Sequence, residues 1–107
     1  MKQKVVHIMI DQYDVYIGRP GPFGNPYSHK EGTMAKYKVS TKKEAVEKYK
    51  QYILNNKDLL EKTKELEGKT LGCWCAKKEG LTTDDPFICH GQIILKIIED
   101  NCEKKLV

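Results

Sequence analysis

The chain reads as a single small α/β domain, a mostly parallel sheet with helices packed on it. Three observations predict that class. Residues 4–10, KVVHIMI, are an almost unbroken β-branched and apolar run, the pattern of a central strand buried on both faces. Residues 69–75, KTLGCWC, make a second such run. Between them apolar residues recur at helical spacing, so Val5–Ile10 and Leu71–Cys75 are expected as neighbouring parallel strands joined by a right-handed crossover.

The elements follow in order. Residues 14–17, DVYI, read as a short second strand that runs into a Gly/Pro loop. From residue 18 to about 40 there is no clear period, and Gly32 with nearby Ser and Thr argues for irregular structure. Thr41-Lys42-Lys43-Glu44 is a capping-box pattern, after which Ala45, Val46, Tyr49, Tyr52 and Ile53 share one helical face. Asn55-Asn56 ends that helix. A shorter one follows, with Asp58 near its start, Leu59, Leu60 and Leu66 on one side, and Gly68 as the residue after its end. A last helix runs from Gly91, with Ile93, Ile94, Ile97 and Ile98 inward. No internal repeat, low-complexity tract or linker divides the chain, so residues 1–107 make one domain.

Composition excludes several classes. The net charge of +4 is mild, and Lys42, Lys43, Lys48 and Lys50 interleave with Glu44 and Glu47 as a solvated helix face, so nucleic-acid binding is not indicated. No stretch reaches membrane-spanning length, and the start MKQKVVHIMIDQYD lacks the apolar core and cleavage site of a signal peptide. Three clustered cysteines with a lone Cys102 do not spread as a disulfide framework would, which reads as a reducing, cytoplasmic setting. Either a monomer or an oligomer fits.

Two segments carry candidate chemistry. Residues 71–91 hold three of the four cysteines, the only Trp and one of three histidines. They read as a strand ending at Cys73-Trp74-Cys75, a polar loop, and Cys89-His90-Gly91 at the mouth of a helix. Free N–H groups and the positive end of the helix dipole favour an anion there, and Gly91 would let a ligand approach the backbone. Cys89 or Cys75 would serve as nucleophile and His90 as base if the site is catalytic; the plainer alternative has the cysteines packing as small hydrophobes and His90 capping the helix. As a zinc set, Cys73, Cys75, Cys89 and His90 have suitable ligand types, but C-x-C spacing and adjacent Cys-His ligands fit poorly, so no metal is expected. Nor does a Walker loop or GxGxxG point to a cofactor.

The second segment surrounds Arg19, one Arg among nineteen basic residues. It sits in Gly18-Arg19-Pro20-Gly21-Pro22-Phe23-Gly24-Asn25-Pro26, which holds three of the four prolines and three of the eight glycines. A stiff loop presenting an Arg fork and an amide suits a phosphate or carboxylate. The alternative is a structural turn with Arg19 paired to a core carboxylate. Trp74 is either a stacking platform or core, and Tyr13 and Tyr16 line cleft or core. His7 reads as an interior histidine, His29 carries no signal, and Lys77, Lys78, Asp84 and Asp85 read as solvated loop charges. Because ligands collect at the carboxyl ends of parallel strands, Arg19, Asn25, Gly18, Gly24, Trp74, Cys89, His90 and Gly91 are expected to gather there.

The motifs YIGRPG-FGNP, GKTLGCWCA and CHGQIILKII, with a helix between, resemble the small phage and bacterial proteins of domain-of-unknown-function family 4326. The likeness spans nearly the whole chain and implies a phage or bacterial context, hence a host cytoplasm if phage-encoded, without implying an activity. Two departures stand out. The spacer between Cys75 and Cys89 is longer than in relatives, so the two halves of the motif must meet through the fold. Gln92 stands where the family often has Asp, which removes a carboxylate from beside His90.

The leading expectation is a small-molecule-binding protein with an anion or phosphate pocket for a nucleotide-like ligand, in a phage setting a sequestered signalling nucleotide. The alternatives are an enzyme acting on a nucleotide or other phosphorylated substrate with a Cys nucleophile and His base, and a zinc-stabilised interaction module.

Overall fold

The structure is a computed structural model that describes residues 3–19, 21–28, 37–74 and 76–105. Strand β1 (Val5–His7), β2 (Val15–Tyr16) and β5 (Leu71–Cys73) form a three-stranded sheet in the order β1-β5-β2. Both pairings are parallel: Val5 aligns with Leu71 on one side of the central strand, and Val15 with Leu71 on the other. Between β2 and β5 come α1 (Lys42–Leu54), α2 (Lys57–Thr63) and a 3-10 turn at Lys64–Leu66, and after β5 comes α3 (His90–Lys105). The expected class, a mostly parallel sheet with helices packed on it, is the observed one.

Alternation along β5 explains its two faces. Leu71 and Cys73 point into the core with Val5, Ile17, Tyr49, Ile53, Ile94 and Leu95. Gly72 faces the other way, where a Cβ would stand 2.5 Å from Tyr13 Cγ and 2.9 Å from Ile8 Cγ2. The chain leaving β1 must return to the starting edge before β2, and residues 8–14 make that return directly across Gly72. This corrects the expected strand Val5–Ile10, which stops at His7. The N–H groups of Ile10 and Asp11 both turn back to the His7 carbonyl, and Met9 and Ile10 are exposed. The short crossing is possible only because the central strand has no side chain on that face.

The helix boundaries follow the capping chemistry. Thr41 Oγ1 accepts the Glu44 N–H, and Glu44 Oε1 accepts the N–H of Ser40, one residue before the cap. Asn56 Oδ1 caps α2 by accepting the Leu59 N–H. Gly68 takes the left-handed backbone, φ 80°, that ends the helical segment. The stretch expected to be irregular contains two short parallel strands, β3 (Tyr27–Ser28) and β4 (Tyr37–Lys38), with the Tyr27 and Tyr37 rings stacked 5.1 Å apart. Strands this short show no period in sequence.

The long spacer is part of the core and not a loose insertion. Val5 and Leu81 exchange both backbone hydrogen bonds, 2.9 and 2.8 Å, so residue 81 covers the outer edge of β1 and is itself buried. Asp85, read from sequence as a solvated charge, accepts from the Thr82 N–H at 2.9 Å and closes the next turn. No helix among the described residues is long and apolar enough to cross a membrane.

Candidate functional site

Parallel strands put the ends of β1, β5 and β2 at one edge, and α3 begins there. His90, the first residue of α3, is held from three sides. Its Nε2 lies 2.7 Å from the Ile17 carbonyl oxygen just past β2, its Nδ1 lies 3.9 Å from Cys73 Sγ at the end of β5, and the Tyr49 ring of α1 packs edge-on at 4.9 Å. A carbonyl oxygen only accepts, so Nε2 carries the proton of that bond and Nδ1 faces the sulphur. Cys73, Cys89 and His90 are buried, and their donor atoms all lie within 4.8 Å of one another. Although adjacent in sequence, Cys89 and His90 straddle the helix start, and both bring a donor atom within 4.8 Å of Cys73 Sγ.

The start of α3 is also capped from within. Gly91 N–H points to Cys89 Sγ at 3.4 Å, while Gln92 Oε1 accepts the N–H groups of Ile88 and Cys89 at 2.8 and 3.0 Å. Gln92 Nε2 faces the carbonyls of Thr82, Asp85 and Pro86 at 3.0, 3.3 and 3.0 Å. Sequence reasoning saw in Gln92 only a missing carboxylate. It is a fully buried reverse cap, and an acid could accept the two N–H groups but could not also donate to the three carbonyls. The Cys-x-x-Gln spacing at a helix start was the available signal. Gly91, expected to admit a ligand, instead admits the core: a Cβ there would meet Ile17 Cδ1 and Val5 Cγ2 at 2.6 Å.

The Gly/Pro loop is locked to the same framework. Arg19 Nη1 donates to the carbonyls of Asn25 and Tyr27 at 2.9 and 3.4 Å, closing the loop on itself; among the described residues no carboxylate pairs with it, in contrast to the alternative considered from sequence. Gly24 makes room for this, since a Cβ would sit 2.9 Å from Arg19 Cα and Cγ. Gly18 lies under the Tyr16 ring, whose hydroxyl donates to the Arg19 carbonyl at 2.8 Å. Asn25 is buried, its Nδ2 donating to the Ala45 carbonyl in α1 and its Oδ1 accepting the Tyr27 N–H. The Tyr49 hydroxyl donates to the Phe23 carbonyl at 2.8 Å. Burial, reinforced by Tyr52, Cys89 and Cys73, pushes the Tyr49 phenol far above its ordinary pKa, so it stays a donor.

The structure therefore brings Arg19, Gly18, Gly24, Asn25, Cys89, His90 and Gly91 into one connected assembly at the carboxyl edge, with Ile17 as the link. Within it Asn25, Cys89, His90 and Gly91 are buried, whereas Arg19 is half-buried. Trp74, next after β5, is not core: it is 58% exposed and meets His7 edge-to-face at 5.7 Å. His7 itself is half-buried, its Nδ1 accepting the Met9 N–H. Cys75, Pro20 and His29 lie outside the described residues.

Comparison with known proteins places the chain in a family. Residues 2–100 match the model of a family described as Domain of unknown function (DUF4326). The chain belongs to that family. One relative is the "Uncharacterized protein R718" of Acanthamoeba polyphaga mimivirus, 30% identical over 92 residues, which are 83% of this chain and 69% of the relative. No solved structure matches. The matched span takes in the Arg19 loop, the end of β5 and the start of α3.

Proposed function

We propose that the chain is a small-molecule-binding protein whose ligand is anionic and nucleotide-like, seated at the carboxyl edge of the three-stranded sheet. The observation that carries this reading is the common direction of β1, β5 and β2, which delivers His7, Trp74 and the Ile17–Arg19 segment to one edge. Arg19 supplies the cation. Among the described residues its hydrogen bonds use Nη1, and that anchoring orders the guanidinium before a ligand arrives. Trp74 supplies an exposed aromatic face for a base. Burial of Cys89 and His90 favours binding over catalysis, because a nucleophile and its base must reach the substrate. A relative in a virus is in keeping with sequestration of a host signalling nucleotide.

The test uses Trp74, the only Trp in the chain, as its own reporter. Titration with nucleoside mono-, di- and triphosphates and cyclic dinucleotides should quench or shift its fluorescence and raise the melting temperature for one class. Arg19→Lys should weaken that binding about tenfold, about 1.4 kcal/mol, through loss of the planar fork. Unchanged fluorescence and melting temperature across the panel at millimolar concentration would remove the proposal.

A further inference from the structure

We infer that Cys73, Cys89 and His90 form a buried binding site for a thiophilic divalent cation, zinc being the fitting ion. Three observations converge on it. The donor atoms lie within 4.8 Å of one another, and the Cys73 Sγ to His90 Nδ1 separation is 3.9 Å. Donors on one tetrahedral zinc stand about 3.5–3.8 Å apart, given Zn–S near 2.3 Å and Zn–N near 2.0–2.1 Å, so the Cys73–His90 pair is nearly in place and the set as a whole must contract by about 1 Å at most.

The second observation is the tautomer. His90 Nε2 donates to the Ile17 carbonyl at 2.7 Å. A histidine that ligates through one nitrogen ordinarily gives its other N–H to a carbonyl or carboxylate, which fixes the ring and raises the basicity of the ligating atom. Here that outer partner is built in, and the nitrogen it leaves for the ion is the one facing Cys73.

The third is electrostatic. All three residues are buried, where lone charges are costly. The thiolates of Cys73 and Cys89 offset the charge of one divalent cation, so occupancy removes the cost of lone charges there. The Gly91 N–H directed at Cys89 Sγ and the positive end of α3 both interact favourably with a thiolate there. A sulphur–nitrogen donor set selects zinc over magnesium or calcium, which require oxygen. Three donors come from the described residues, and a tetrahedral ion takes one more ligand, from the protein or from water.

Occupancy would tie the end of β5 to the start of α3, with one proton leaving each thiol that becomes a ligand. The site needs no nucleotide, so its test stands apart from the ligand proposal.

The full chain is purified without chelator, or refolded with excess zinc, then desalted and assayed for metal. One equivalent is expected, and cobalt in its place should give sulphur-to-metal charge-transfer absorption with the intense visible bands of a tetrahedral site. A strong chelator should lower the melting temperature of the wild-type protein, with recovery on adding zinc but not magnesium. Cys73→Ser and His90→Ala should each weaken zinc binding at least 100-fold, while Cys102→Ser, in the C-terminal half of α3, should not. If the variants fail to fold, the cobalt spectrum and chelator response of the wild type decide alone. Wild-type protein that keeps no zinc after desalting and shows no cobalt–thiolate absorption overturns the inference, leaving a metal-free Cys73–His90 contact.

Discussion

Replacing Gln92 with Met keeps the length of the side chain and removes every hydrogen bond it makes. Two N–H groups, those of Ile88 and Cys89, lose their acceptor, and the carbonyls of Thr82, Asp85 and Pro86 lose a donor. The Cys89 N–H is buried, and losing its acceptor costs about 2 kcal/mol. The other four groups, on half-buried Thr82, Asp85 and Ile88 and exposed Pro86, regain water in part, at about 0.5 kcal/mol each. The apolar side chain returns about 1 kcal/mol through burial in place of the amide. The sum is a loss of about 3 kcal/mol, or a fall of about 12 °C in melting temperature for a domain of this size. Urea unfolding followed by far-ultraviolet circular dichroism measures it, and hydrogen exchange should show the amides of Leu81 and Cys89 opening first. A loss below about 1 kcal/mol, with those amides still protected, would refute the assignment of Gln92 as the anchor of the 82–86 turn.

Gly91→Ala places a methyl group 2.6 Å from Ile17 and Val5; the strain outweighs the helix-propensity gain of about 1 kcal/mol, so the urea midpoint should fall. Tyr49→Phe removes the hydrogen bond to Phe23 and should cost about 1 kcal/mol at neutral pH. Because the folded-state pKa of Tyr49 is raised, the stability tied to its neutral phenol is complete below the unfolded value of about 10 and declines above it. The wild type should therefore lose more stability than Tyr49→Phe between neutral pH and pH 11, as denaturant midpoints across that range would show. Trp74→Ala, at an exposed position, should change stability by no more than about 0.5 kcal/mol while weakening nucleotide binding in a calorimetric titration.

Buried strands and capped helices were legible because their signals are local. Val5-Val6 and Leu71 mark strands by composition alone, and Thr41 with Glu44 marks a helix start by two side chains on one turn. What sequence did not show depends on contacts between distant segments. Residues 8–10 are as apolar as a strand, yet they turn away because the chain must recross the sheet over Gly72. Asn25 looked like a ligand amide because its loop is rich in Gly and Pro, whereas its partner, the Ala45 carbonyl, lies in another element. Gly91 was read as an opening toward solvent, and only the packing of α3 on β1 and β2 shows that the opening faces inward. The meeting of Cys73 with Cys89 and His90 was legible in outline, because a strand end and a helix start fall at one sheet edge, whereas the packed spacer beside them was not.

The central position of β5 has a consequence for how the chain is made. β1 and β2 are translated first, but in the order β1-β5-β2 neither pairs with the other, so each waits for a strand translated after two helices. Until Leu71–Cys73 leaves the ribosome the nascent chain can form helices and the small β3-β4 pair but not the three-stranded sheet, and closing so long a loop is entropically costly. When β5 arrives it completes both pairings at once, joining two open edges in a single event. Formation of the three-stranded sheet is thereby all-or-none and late, and in polypeptides interrupted before residue 71 β1 and β2 have no central strand to pair with.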